Sequence, residues 1–297
     1  MSNKLRKMTL EKKHNLTGWA FLAPATFLIA VFSFWPMIKA LVLSFQTGKG
    51  RNMQMAGFTN YIRMFQDDVF LQSIKNTFFY FILQVPIMLV VAMVLACILN
   101  KKDLRFKGFF RTMIFVPCTT SLVAYSIIFR SLFANDGLVN YVLVNLGILD
   151  KPYNFLTQPF AAKIVIILAL LWRWTGYNMV FFLSGLQNIE YSVYEAAKID
   201  GASAIQTFFK ITVPLLKPTI LLTAIMSTNG TLQLFDESVN LTDGGPANAS
   251  ISMSHYIYNL CFKYVPNFGY AAAMSFFILL LVAVLAFIQM RVGDKRD

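Results

Sequence analysis

The chain has 297 residues, 57% of them hydrophobic and only 13% charged, with a mean hydropathy of +0.59. Soluble domains carry about a quarter charged residues, so the composition excludes an ordinary globular fold and points to a membrane class. The formal net charge of +12 invites a nucleic-acid reading, which stands or falls on where the charges sit.

In chain order, charge-free runs separate Lys13 from Lys39, Lys75 from Lys101, Arg111 from Arg130, Lys217 from Asp236 and Lys263 from Arg291, and a further run from Lys163 to Glu190 is broken only by Arg173. A bilayer core of about 30 Å takes roughly 20 apolar residues in a helix. The runs therefore predict six spans at about 18–46, 76–99, 110–133, 161–185, 213–235 and 267–290. They are continuous rather than alternating, and lipid cannot satisfy an open backbone, so the spans are expected to be helices. The first run outlasts a signal-peptide core and leads into no soluble domain, so it reads as a true span. Cys97, Cys118 and Cys261 are scattered, which predicts free thiols rather than a disulfide framework or a metal site.

The basic residues sort by side. Lys4, Arg6, Lys7, Lys12 and Lys13 precede the first run; Lys101, Lys102, Arg105, Lys107 and Arg111 crowd the second connection; Arg291, Lys295 and Arg296 follow the last run. Asp67, Asp68, Asp136, Asp150, Asp236, Glu237 and Asp243 lie in or beside the odd-numbered connections. The positive-inside rule then puts both termini and the second and fourth connections in the cytoplasm. The basic excess is a topology signal and an attraction to anionic lipid, not a nucleic-acid footprint. Outside the spans, Asp136-Gly137, Lys151-Pro152 and Asp243-Gly244-Gly245-Pro246 mark turns, and no segment is long enough for an independent core.

The fourth connection, at about 186–212, reads as helix, turn, helix. Glu195 to Lys198 are good helix formers, Asp200-Gly201 suits a turn, and Ile205, Phe208 and Phe209 recur at helical spacing as one apolar stripe. Pro214 suits the first turn of the next span. Small residues at Ala196, Ala197, Gly201 and Ala202 would let another backbone approach closely, although on the residues alone an amphipathic helix resting on the inner leaflet is the plainer reading.

This segment resembles the EAA loop of binding-protein-dependent ABC importers: Glu-Ala-Ala, three residues, Gly, nine residues, Ile, one residue, Leu-Pro. Glu195-Ala196-Ala197, Gly201, Ile211 and Pro214 match at that spacing, with Val213 where leucine is usual. Ala23-Pro24, Phe34-Trp35-Pro36, Gly57-Phe58-Thr59-Asn60-Tyr61, Leu241-Thr242-Asp243-Gly244-Gly245-Pro246 and Gly269-Tyr270-Ala271 are similar to the carbohydrate-type permeases of that family, Asp243 replacing a glycine. The resemblance implies an all-α type I importer domain of six transmembrane helices. It would comprise an N-terminal tail, helix and external loop over 1–74, a five-helix permease core over 75–291, and a tail at 292–297. It implies ATPase coupling through Glu195, Ala196, Ala197, Asp200 and Gly201. Two ATPase subunits, which would bind the ATP and magnesium, a second related permease and an extracytoplasmic solute-binding protein are the implied partners, with no cofactor in this chain.

Arg173 falls mid-span, where a lone charge costs about 2.5–3.5 kcal/mol on insertion scales, so it is expected to face a cavity, a polar partner or an interface. With Trp174, Tyr177 and Asn178 around it, and Asn229 and Gln233 on one face of the fifth span, it forms a candidate substrate path; helix–helix packing is the plain alternative. Asp236, Glu237, Gly244, Gly245 and Pro246 are candidates for contact with the receptor, or simply end the helix. There is no zinc-hydrolase motif, no carboxylate pair within a span and no phosphate-binding loop, so no catalytic residue or metal ligand is expected. A secondary transporter would need intramembrane acids that are absent from the spans. A sugar or oligosaccharide is the expected cargo, with a phosphorylated polyol such as glycerol phosphate as the alternative.

Overall fold

The computed structural model describes residues 10–49, 52–101 and 103–293. Lys4, Arg6, Lys7, Lys102, Lys295 and Arg296 lie outside the described residues, as do the side chains of Lys12 and Lys13 and most of the 292–297 tail.

Helix α1 joins Leu10–Ile29 to Trp35–Ser44 through a π-helical turn at Ala30–Phe34, with Pro24 and Pro36 inside. A β-hairpin follows, β1 (Gln46–Lys49) antiparallel to β2 (Asn52–Met55), which the all-helical expectation did not include. The short helix α2 (Thr59–Met64) leads into α3 (Asp68–Asn100), which begins eight residues before the predicted 76 because Asp67 caps it, accepting from the backbone N–H groups of Val69 (3.0 Å) and Phe70 (3.2 Å).

The apolar run at 110–133 is not one straight helix. It consists of α4 (Lys107–Thr119) and α5 (Leu122–Leu132), bent by 98° at Thr120 and Ser121, both extended, just beyond Pro117. Helix α6 (Leu138–Asn145) lies in the third connection, where Asn140 ties the loop by bonding the backbone of Ala134 and Tyr153. Helix α7 (Pro159–Gln187) is the centre of the bundle: 56% of its most apolar window is buried, against 39% for α3, 28% for the last long helix and none for α1.

Helix α8 (Tyr191–Ile199) is followed by α9 (Ala204–Leu215), which contains a π-helical turn at Phe208–Thr212, and α10 (Lys217–Leu232). The break between α9 and α10 is 71° and falls at Leu216, so Pro214 closes the earlier segment and Pro218 takes the first-turn position that Pro214 was expected to fill. Phe208 packs inward while Ile205 and Phe209 remain exposed, which splits the expected stripe. Helix α11 (Met253–Tyr258) precedes α12 (Phe268–Gly293), the last element among the described residues. Among the described residues, four helices are thus long and apolar enough to cross a membrane, and the bent pairs bring the number to six if each is one span. The three cysteines are free, as expected.

The bundle is built on α3 packed along α7, with α10 against both and α12 against α10 and the end of α1. At one end Asp67 also accepts the hydroxyls of Tyr256 (2.7 Å) and Tyr270 (2.8 Å), tying α3, α11 and α12 together. Burial alone would raise its carboxyl, but the bonds from Tyr256, Tyr270, Phe70 and Val69 outweigh it and hold the group below the ordinary carboxylate value. The contribution is therefore fully present above the unfolded value of about 4 and is lost as pH falls through the lower folded value. Asp67→Ala should cost about 1–3 kcal/mol, read as a fall in the thermal midpoint of the purified protein at pH 7 that shrinks on acidification below pH 4. An unchanged midpoint at pH 7 would show that the tyrosines hold the corner without it.

Candidate functional site

Between α3, α7 and α10 lies a cavity of about 310 Å³. Trp174 and Tyr177 supply aromatic faces, their rings edge-on with centroids 5.8 Å apart. The polar wall comes from three helices. Gln84 of α3 accepts from the Thr231 hydroxyl of α10 at 2.9 Å, and Asn178 of α7 accepts from Ser227 of α10 at 3.3 Å. Both amides also turn donors toward the Met88 sulfur, at 3.0 Å from Gln84 and 3.5 Å from Asn178. Asn178 further donates to the carbonyl of Trp174 at 3.0 Å, whereas Gln84 Nε2 has only the thioether, a weak acceptor. Polar groups this deep are tolerated because they bond across helices or face a cavity rather than lipid.

Arg173 sits beside this space rather than in its wall. It is 6% exposed, its guanidinium rests on the rings of Tyr125 (4.8 Å) and Trp174 (5.3 Å), and Nη1 donates to the Thr120 carbonyl at 2.6 Å. The bend between α4 and α5 leaves that carbonyl without a helical donor, and Arg173 supplies one. Tyr125 in turn donates to Glu237 at 2.5 Å. Glu237 is only 4% exposed and, with Asp236, lines the cavity.

Beyond Glu237 a π-helical segment, Ser238–Thr242, packs on α5 and is anchored by buried hydroxyls: Ser238 meets His255 Nδ1 at 2.9 Å, and Ser252 donates to the Leu234 carbonyl at 2.5 Å. Burial lowers His255 to about 4; Asp243 opposes that shift and Lys263 adds to it, so the ring is neutral at ordinary pH.

At the other candidate locus, α8 ends in a Schellman turn. The N–H of Gly201, at φ +75°, donates to the Lys198 carbonyl at 3.2 Å, and that of Ala202 to the Ala197 carbonyl at 2.9 Å. Ser203 and Gln206 then form a capping box that restarts the helix. Ala197 is buried within the chain, while Glu195, Ala196, Asp200 and Gly201 are exposed, with Ile199 (85%), Ile205 (72%) and Phe209 (65%) bare beside them. An apolar face this open on a short helix pair is the kind of surface that a partner covers.

Residues 66–296 match the family of binding-protein-dependent transport system inner membrane components. The chain belongs to this family. It is 51% identical over 292 residues to the lactose transport system permease protein LacF of Rhizobium radiobacter, covering 98% of both chains. It is 34% identical to the multiple sugar-binding transport system permease protein MsmF of Streptococcus mutans, covering 97% of this chain and 99% of that one. Among solved structures, a bacterial ABC transporter involved in import of the acidic polysaccharide alginate superposes with a TM-score of 0.84 over 97% of this chain and 98% of the other, at 23% identity, a likeness of fold. The chain is accordingly a multi-pass inner-membrane permease, a transport subunit and not an enzyme.

Of the residues singled out in this permease, the cavity wall gathers Trp174, Tyr177, Asn178 and Gln233; Asn229 bonds Gln233 at its rim, and Arg173 braces the wall from behind. Asp236 and Glu237 face the cavity, and Gly244 is buried against His255 and Ile251, so of the receptor-contact candidates Gly245 and Pro246 keep accessible surface away from it. The reason is that α10 ends at Leu232, three residues before the predicted 235, and the chain folds back over α5 instead of projecting outward. Gln84 and Met88 were missed, although a glutamine inside the apolar run of 76–99 was a usable signal.

Proposed function

We propose that this chain is one of two related permease subunits of an ATP-driven importer, with six spans and both termini in the cytoplasm, passing a sugar or oligosaccharide handed over by an extracytoplasmic solute-binding protein. The observation that carries the coupling half of this reading is the exposed helix ending at Gly201, with Glu195 and Ala196 bare beside an uncovered apolar face. Two separate ATPase chains, binding ATP and magnesium, would seat that helix and move it as they close, so that one rigid element carries their motion to the spans. The cargo half rests on the cavity chemistry, aromatic faces beside amides and hydroxyls, and on the relatives named for lactose and multiple sugars. A phosphorylated polyol fits less well, because no cation lines the cavity among the described residues.

The test is affinity purification of the tagged chain from its native membrane in mild detergent, followed by reconstitution. The expected result is co-elution of an ATPase and a second permease, and sugar uptake that needs ATP and the receptor. A chain recovered alone that still transports down an ion gradient would overturn the reading in favour of a secondary transporter.

A further inference from the structure

The cavity has one-sided charge. Its only acidic lining residues among those described are Asp236 and Glu237 and no basic residue lines it, while Arg173 lies behind the Trp174 and Tyr125 rings and spends its Nη1 donor on the Thr120 carbonyl. The two carboxylates differ in what they are free to do. Glu237 is buried and takes the Tyr125 hydroxyl. Asp236 is half-exposed, and its backbone carbonyl rather than its carboxylate is the group engaged within the chain, by Asn240 at 2.9 Å. We propose that Asp236 is the saccharide-reading residue of this permease, accepting hydroxyls in the cavity, and that its charge bars anionic cargo.

The proposal rests on the cargo reading above and narrows it to uncharged saccharides. A carboxylate offers two oxygens that accept adjacent sugar hydroxyls, and such charge-assisted bonds are stronger than neutral ones. Trp174 and Tyr177 present the apolar faces that a pyranose ring covers. Gln84 is an independent sign that the wall is completed by a ligand: it is 2% exposed, and its amide nitrogen has no acceptor but the Met88 thioether, which a sugar oxygen would outmatch. A phosphate or carboxylate on the cargo would instead meet like charge across a poorly screened space.

The experiment measures equilibrium binding to the purified permease complex in nanodiscs, without the receptor, so that the receptor's own choice does not enter. The probes are lactose, cellobiose and maltose, each paired with its aldonate: lactobionate, cellobionate and maltobionate. The wild type is expected to bind at least one neutral disaccharide, and its aldonate at least tenfold more weakly. Asp236→Asn should bring that ratio below threefold while weakening the neutral sugar, and Asp236→Glu should restore the discrimination; a merely structural aspartate would change both members of a pair alike. Should Asp236→Asn not assemble, Asp236→Ser carries the same comparison. Equal binding within a pair by the wild type, or a ratio unmoved by the substitution, overturns the proposal and leaves the cargo reading standing. A wild type that binds none of the neutral sugars overturns the cargo reading itself.

Discussion

Gly201→Val should lower uptake at least tenfold while the chain still reaches the membrane in normal amount. A Cβ built at Gly201 meets nothing within 4 Å, so the penalty is not a clash. It comes from the backbone: φ is +75°, where an L side chain costs roughly 1–2 kcal/mol and a β-branched one is a true outlier. The easiest escape is to open the two bonds that end α8, from Gly201 to Lys198 and from Ala202 to Ala197. That displaces Glu195, Ala196 and Asp200, the surface offered to the ATPase, and leaves the bundle intact because Ala197 is the only residue of α8 that is buried. Gly201→Asn is the matching control, since asparagine tolerates the left-handed region. The readouts are receptor-dependent uptake and the amount of ATPase co-purifying with the tagged chain. Normal uptake by the valine variant would mean that the turn is not part of the coupling path.

That turn was legible in the sequence because its requirement is local: an Asp-Gly pair after a helix-forming run can be read residue by residue. The long apolar runs were legible for a similar reason, since solvent alone demands their length. Tertiary packing decided the rest. The third run reads as one span over 110–133; its 98° bend at Thr120 is stable because Arg173, 53 positions along the chain, takes the freed carbonyl. In the sequence, Asp236 and Glu237 read as receptor contacts or the end of the helix; α10 stops at Leu232, so both line the cavity, where Tyr125 from α5 meets Glu237. Charge counting along the chain sees neither event. Nor does it distinguish Gln84, which faces the cavity, from a glutamine that merely bonds to a neighbouring helix.

The second large effect is expected at Gly176, and it concerns how the cavity is held rather than what it binds. A Cβ on Gly176 would stand 1.9 Å from the carbonyl oxygen of Ile114, 2.7 Å from its carbon and 3.1 Å from Phe115 Cα. All three are backbone atoms of α4, so no side chain can swing aside, and α4 and α7 must separate by about an ångström or more to restore an ordinary contact. Close backbone approach through small residues is how membrane helices gain packing where no hydrophobic drive exists between them. Overpacking at such a point costs typically 1–3 kcal/mol, and this crossing is at the upper end because its neighbours cannot yield. The same movement draws Arg173 away from Thr120 and shifts Trp174 and Tyr177, which flank Gly176 on the cavity side. Gly176→Ala should therefore reduce recovery of the folded complex and lower its thermal midpoint by about 5–10 °C. Gly108→Ala on α4, where a Cβ meets nothing within 4 Å, should leave the midpoint unchanged or slightly raised, since alanine favours the helix. Equal midpoints for Gly176→Ala and the wild type would show that α4 and α7 slide freely past each other, and that the bend at Thr120, not the glycine crossing, sets the shape of the cavity.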